Sequence, residues 1–377
     1  MQKGVWPFFA QANRGYTIRG EISMKQVKKV INIILISVVA FGAVTLVVFL
    51  SSREGGGAEL KGTYHSPTLF AMGTTLDITI QGRGGKRSKN DVNRAVALAR
   101  RIENETSRFK PGSDVSRINT AAGVAPVEVG DATFNIIEKA LEYGKMTGGA
   151  FDITVAPIVK LWGFYNQKYR VPTAKEIAAA TALVDYRKVI IDARSKTVML
   201  TDKGMKIDLG GIAKGYAVQA MCDLYKQMGV KHALINFGGA IGAVGNRADG
   251  KDWVIGIKDP RGEGGALVGE LKVSNGFVSS SGDYERFFVK GSKRYFHIFD
   301  PSSGYNPKET MSATVVGPNS MDTDMLSTTL MVQGPRRGIE LMKTRPGFEG
   351  LIVGNNGNIH FTPLMKSKYI IDLREKV

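Results

Sequence analysis

The segment Asp208-Leu-Gly-Gly-Ile-Ala-Lys-Gly-Tyr216 places a carboxylate, three glycines and a lysine within nine residues at the entrance to an apolar helix. Such a segment has the parts of an anion site. Gly210, Gly211 and Gly215 let the backbone approach a ligand, the first amides of the helix point outward, and Lys214 adds a positive charge. It is not a nucleotide-binding P-loop, which needs Gly-x-x-x-x-Gly-Lys followed by Ser or Thr. On its own the turn serves tight packing equally well. The other polar blocks of the chain decide between these readings.

Three of those blocks read as parts of the same site. Gly148-Gly-Ala-Phe-Asp-Ile-Thr-Val-Ala-Pro157 follows a helix and runs into Leu161-Trp-Gly-Phe164. Tyr295-Phe-His-Ile-Phe-Asp-Pro-Ser-Ser-Gly304 carries a histidine and a carboxylate on a strand and turn. Asp322-Thr-Asp-Met-Leu-Ser-Thr-Thr329 opens an apolar helix. Together with Phe70-Ala-Met-Gly-Thr74 and Ser107-Arg-Phe-Lys-Pro-Gly-Ser-Asp-Val-Ser-Arg-Ile-Asn119, and in this order, they resemble the FAD:protein FMN transferase (ApbE) family from about residue 62 to the C-terminus.

The resemblance implies a reaction in which FMN, taken from FAD, is joined to a Thr or Ser hydroxyl of an acceptor protein through a phosphoester, with release of AMP. Such a transfer needs its diphosphate neutralised, the hydroxyl placed in line, and a group to take the hydroxyl proton. Asp324 and Thr328 are four residues apart on one helix face and match the family's Mg2+ pair, with the Ala213 carbonyl as a third ligand. Asp324 could otherwise be a helix cap, but Asp322 could fill that role. Of the four histidines, His65, His232, His297 and His360, only His297 lies in a carboxylate-bearing motif, and it matches the family's catalytic histidine. His297 and Asp324 are therefore the expected catalytic residues. Met72, Phe109, Ala150, Phe151, Asp152, Asp208 and Lys214 match positions that contact the flavin nucleotide. Phe109 stands where tyrosine is frequent, and Met72 and Phe151 could equally be core. Ser281-Gly282-Asp283 forms a second polar turn that could lie near the phosphates, whereas Asp300 more naturally shapes its own turn. Two other activities remain open: hydrolysis of FAD to FMN and AMP at the same site, and flavin binding without catalysis.

The wider composition is that of a folded protein, with 377 residues, 43% of them hydrophobic and a formal net charge of +17. Residues 1–29 contribute +5 of that charge, and no Lys/Arg-rich run with interleaved aromatics follows. The balance suits anionic ligands or an anionic membrane surface rather than nucleic acid. Val30 to Leu50 is an uncharged apolar stretch of about the ~20 residues that a helix needs to cross a bilayer. Lys25, Lys28 and Lys29 precede it, so the expected arrangement is a cytoplasmic segment 1–29, a transmembrane anchor 30–50, a linker 51–61, and a transferase domain 62–377 outside the cytoplasmic membrane. A cleaved signal peptide and a translation start at Met24 are alternatives. Family members are often lipoproteins attached through a cysteine after the signal segment; here the one cysteine is Cys222, so an uncleaved helix would do the anchoring. With that location the resemblance implies acceptors such as subunits of membrane electron-transfer complexes.

The elements that must position these residues are legible from periodicity. Alternation at Leu76, Ile78 and Ile80 predicts a strand, and Val92, Val96, Ala99 and Ile102 a helix over 91–106, with 82–88 as a basic surface loop. Asp131 can cap the next helix, and Thr173 with Glu176 forms a capping box before Ile177. Strands follow at 189–191, 198–200, 233–237, 253–257, 277–280, 286–289 and 295–299, then helices at 324–332 and 338–342. Clustered helices beside hairpins predict an α+β fold with antiparallel strands and packed helices.

Overall fold

The computed structural model describes residues 62–374 and 377. The stretches 1–29, 30–50 and 51–61 lie outside them; among the described residues no helix is long and apolar enough to cross a membrane. In chain order the strands are β1 (Tyr64–His65), β2 (Leu69–Ala71), β3 (Thr74–Gln81), β4 (Val127–Glu128), β5 (Val189–Asp192), β6 (Thr197–Leu200), β7 (His232–Phe237), β8 (Ala240–Val244), β9 (Trp253–Lys258), β10 (Leu267–Val273), β11 (Phe277–Gly282), β12 (Phe287–Lys290), β13 (Lys293–Phe296), β14 (Thr310–Gly317), β15 (Glu349–Gly354), β16 (Ile359–Phe361) and β17 (Ile370–Leu373). The helices are α1 (Gly85–Thr106), α2 (Asp114–Thr120), α3 (Asp131–Met146), α4 (Ala156–Leu161), α5 (Ala174–Thr181), α6 (Ala213–Gln227) and α7 (Ser320–Lys343).

All described strand pairings are antiparallel. The main sheet runs β1-β3-β7-β8-β11-β14-β15-β16, with β2 paired to β3. One face, carrying Leu76, Ile78, Ile235 and Phe237, packs on Val92, Ala99, Val218 and Met221 of α1 and α6. Alternate residues of the same strands, such as Leu234 and Ile241, turn to the other face and meet Trp253, Ile255 and Leu271 of a second sheet, β17-β10-β9. Period-two alternation of apolar side chains therefore builds three layers, and β14, covered on both faces, is buried along its whole length. Burial of each large aliphatic side chain contributes about 1.5–3 kcal/mol.

Several local expectations meet the structure unevenly. The capping box at Thr173 and Glu176 forms with both reciprocal hydrogen bonds. The segment 82–88 is only partly loop, because α1 begins at Gly85. Asp131 does not cap α3: Gly130 is the N-cap, and Asp131 lies in the first turn, paired with Lys196, where its charge suits the helix dipole. Asp322 likewise is not the cap of α7. Asn319 is, its side chain accepting from the Asp322 amide at 3.1 Å, while Asp322 accepts the Tyr143 hydroxyl at 2.5 Å. The two C-terminal helices expected at 324–332 and 338–342 run together across a kink at Gly334 (φ 76°) and Pro335. Cys222 is a fully buried thiol on α6, and burial pushes its pKa up to about 12.

Candidate active site

The site is assembled where α6 meets α7. Gly215, in the first turn of α6, has no side chain because there is no room for one. A Cβ built there would lie 2.5 Å from the Ser320 carbonyl oxygen and 2.9 Å from the Asp324 Cβ. That close approach lets the Gly215 amide donate to Asp324 Oδ2 at 2.9 Å, so an otherwise orphaned helix-start N–H is satisfied by a buried carboxylate. Gly215→Ala is expected to destabilise the fold by about 1–3 kcal/mol through overpacking. A urea midpoint equal to wild type would contradict that geometry.

Lys214 stands at the same carboxylate, its Nζ 3.3 Å from Oδ1 and 3.4 Å from Oδ2 of Asp324. Thr328, one turn further along α7, donates its hydroxyl to the Asp324 carbonyl at 3.2 Å and lies 3.4 Å from the Ser281 hydroxyl. Ser281, in the last residues of β11 rather than in the turn expected at 281–283, also bonds Ser327 at 2.8 Å, which brings that strand end against α7. The glycine turn closes the other side: a Cβ at Gly211 would lie 3.2 Å from the Phe151 ring and 3.8 Å from Thr328 Oγ1. Ala213 is the buried first residue of α6. Asp324, Thr328, Ala213, Lys214 and Phe151 are therefore neighbours.

Among the described residues no group of three or more His, Cys, Asp or Glu is arranged to hold a metal. The donors brought together here are of another kind: the Asp324 carboxylate and the Thr328 hydroxyl, hard oxygens of the sort that Mg2+ takes while keeping several waters. The Lys214 ammonium beside Asp324 marks the spot as one that already favours positive charge. These residues fit a divalent cation.

Asp208 is held in a different network. Arg108 Nη1 donates to its Oδ1 at 2.5 Å, the Tyr165 hydroxyl to its Oδ2 at 2.9 Å, and the Gly210 amide to Oδ1 at 2.9 Å. The Arg108 guanidinium lies between two rings, 4.0 Å from the centroid of Phe109 and 3.7 Å from that of Tyr165. Burial, reinforced by the Asp208 charge, raises the Tyr165 phenol well above its ordinary pKa, so it stays a donor. Phe109 is 57% exposed, a flat aromatic face open to solvent at the rim. Neither Arg108 nor Tyr165 was singled out by sequence reasoning. Arg108 lies inside a quoted motif, but nothing in its spacing showed that it would reach Asp208, 100 residues away.

Asp152 takes a framework part. Its carboxylate accepts from the Thr154 amide (2.7 Å), the Thr154 hydroxyl (2.6 Å) and the Tyr186 amide (2.9 Å), pinning the turn that carries Ala150 and Phe151. Burial raises its pKa, against the opposing effect of those hydrogen bonds.

Met72 and Gly73 form the two-residue turn between β2 and β3, both with positive φ (50° and 73°), as a type I′ hairpin requires. A methionine in that conformation costs strain of order 1 kcal/mol, which is common at functional sites. The turn points toward the remaining part of the site: a Cβ on Gly73 would lie 3.6 Å from Arg286 Nη2. The Arg286 carbonyl accepts from the His297 amide at 3.1 Å, and His297 follows directly on β13 rather than lying within it. Its Nδ1 is buried without a hydrogen-bond partner among the described residues. Burial, then the charges of Arg286 and Lys214, hold its imidazole down at about 3. His297 thus shares an electrostatic neighbourhood with Lys214 and Asp208. Glu285, reached by solvent yet flanked by protein, has its carboxyl raised by desolvation, with Lys258, Lys214 and Arg286 opposing. Asp300 is a turn former, accepting from the Ser302 amide and hydroxyl and from the Ser303 hydroxyl.

Comparison with known proteins gives these residues a family. The ApbE family model matches residues 72–352. An FAD:protein FMN transferase of Klebsiella pneumoniae (strain 342) is 35% identical over 290 residues, covering 74% of this chain and 90% of that protein. One from Haemophilus influenzae is 32% identical over 279 residues, covering 72% and 81%. The crystal structure of the ApbE protein of Thermotoga maritima superposes with a TM-score of 0.75 at 32% identity, covering 81% of this chain and 98% of that one. The flavin transferase ApbE from Vibrio cholerae gives 0.72 at 28% identity, covering 81% and 98%. With the matched region spanning the glycine turn, the histidine motif and the start of α7, the chain belongs to the ApbE family.

Proposed function

We propose that this chain transfers the FMN part of FAD to a Thr or Ser hydroxyl of an acceptor protein. The observation that carries the reading is the juxtaposition of Lys214, Asp324 and Thr328 across the α6–α7 contact, with an unpaired imidazole nitrogen on His297 in the same electrostatic neighbourhood. Lys214 meets the diphosphate charge, while the Gly210 and Gly215 amides stay committed to Asp208 and Asp324. The acceptor oxygen attacks the FMN phosphorus, the bond from that phosphorus to the AMP oxygen breaks, and AMP leaves with the bonding pair. His297 takes the hydroxyl proton. Asp324, Thr328 and the Ala213 carbonyl would hold Mg2+, which would neutralise charge on the diphosphate when bound. Phe109, with Met72 at its turn, supplies aromatic and apolar surface for the rings, whereas Phe151 is buried in the core behind the glycine turn.

The uncharged stretch 30–50, outside the described residues, supports a single membrane anchor with the transferase domain on the extracytoplasmic side, and hence acceptors in membrane electron-transfer complexes. The chemistry is tested by incubating the protein with FAD, Mg2+ and a candidate acceptor and weighing the acceptor. An FMN-sized increment is expected. Free FMN and AMP beside unmodified acceptor would reassign the site to hydrolysis, and intact bound FAD would reassign it to carriage.

A further inference from the structure

A second concavity, of about 590 Å3, opens on the α4–α5 lobe, away from the α6–α7 contact. Its lining includes Lys160, Lys168, Arg170 and Lys206 together with Leu161 and Leu183, and no carboxylate lines it. Among the described residues, Arg170 alone of the four cations has a carboxylate partner, Glu176 Oε1 at 2.8 Å. Three uncompensated ammonium groups among apolar side chains focus a positive potential into the cavity. No aromatic ring lines it, so it lacks the stacking faces that a flavin or adenine would use.

One loop reaches both the cavity and the Asp208 network. Tyr165, on the loop 163–170, bonds Asp208, while Lys168 and Arg170 of the same loop face the cavity; Lys206 is two residues from Asp208. The loop is fixed. Gly163 has φ +84°, a Cβ there would lie 2.1 Å from the Lys168 carbonyl oxygen, and Arg170 Nε donates to the Leu161 carbonyl at 3.1 Å.

We infer that this cavity docks an acidic, partly apolar segment of the acceptor protein, holding that protein beside the site where its hydroxyl reacts. The inference rests on the transfer reading, because it is that reaction which requires a protein as second substrate. Charge complementarity selects the occupant: acidic side chains meet the lysines and apolar ones meet Leu161 and Leu183.

The test uses the full-length chain in detergent and a fluorescein-labelled decapeptide of alternating Glu and Leu, followed by polarisation. Wild type is expected to bind it, less tightly at 300 mM than at about 50 mM salt. The triple variant Lys160→Glu, Lys168→Glu, Lys206→Glu should lose about tenfold or more in affinity, and the matching Lys→Arg triple should retain it. FAD binding, followed by flavin fluorescence, should be unchanged in both. Equal peptide affinity in wild type and the Glu triple would overturn the inference, as would displacement of the peptide by AMP or pyrophosphate, which would make the cavity a small-anion site. Failure of the transfer reading is separable: wild type would then release FMN and AMP without modifying any protein, whatever the peptide does.

Discussion

Replacing His297 with alanine is expected to lower FMN transfer to an acceptor protein by about a hundredfold or more, the range that a positioned general base supplies, while FAD binding stays within a few-fold of wild type. The separation follows from placement: His297 lies after β13 with Nδ1 unpaired among the described residues, whereas the diphosphate charge is met by Lys214. Without substrate, burial and the charges of Arg286 and Lys214 hold the imidazole at about 3, so it is neutral at pH 7 and its lone pair is free. A diphosphate placed against Lys214 would offset part of that positive field and raise the imidazole's basicity once substrate is bound. The acid limb of kcat is therefore expected at higher pH than that of kcat/KM. Stability shifts in a defined direction. The unfolded histidine titrates near ~6.5, so between that value and about 3 the unfolded chain binds more protons. Stability attributable to the neutral ring is complete above the upper value and is lost as pH falls through the window, a dependence that His297→Ala should remove. Wild-type turnover in the alanine variant, or coincident acid limbs for kcat and kcat/KM, would dismiss the proposed base.

How far these features were legible in the sequence depends on the range of the contact. Alternation at Leu76, Ile78 and Ile80 and the capping box at Thr173 are set by neighbours in the chain, and both are present in the structure. Strand β14 escaped because Thr310 to Gly317 is covered on both faces and shows no alternation to read. Asp131 and Asp322 were read as caps because a carboxylate before an apolar run suits that position; Gly130 and Asn319 hold the caps, and the two carboxylates answer to Lys196 and Tyr143 instead. At the site, Lys214 and Asp324 could be named from their motifs, but their 3.3 Å approach depends on Gly215 packing against Ser320. The Arg108–Asp208–Tyr165 network is wholly tertiary, as is the bond from the Tyr186 amide that ties Asp152 into the framework beside its local bonds to Thr154.

Asp324 offers the second large effect, because its packing and its charge can be separated by substitution. Asp324→Ala removes the acceptor of the buried Gly215 amide, and an unsatisfied buried donor costs about 1–3 kcal/mol, so loss of activity in that variant could reflect a loosened α6–α7 contact. Asp324→Asn keeps the shape and an oxygen for the Gly215 amide but removes the negative charge. Its thermal midpoint should therefore stay within a few degrees of wild type. Transfer should nevertheless fall about a hundredfold or more, and its response to added Mg2+ should flatten, since the single carboxylate among the proposed oxygen donors is gone. Lys214, released from its 3.3 Å partner, would remain free to bind the diphosphate, so FAD affinity is expected to hold or rise. That pattern, with fold and nucleotide binding kept and metal-dependent turnover lost, distinguishes a metal-holding carboxylate from one that merely joins two helices. An Asn variant that turns over like wild type and still responds to Mg2+ would return Asp324 to the second role.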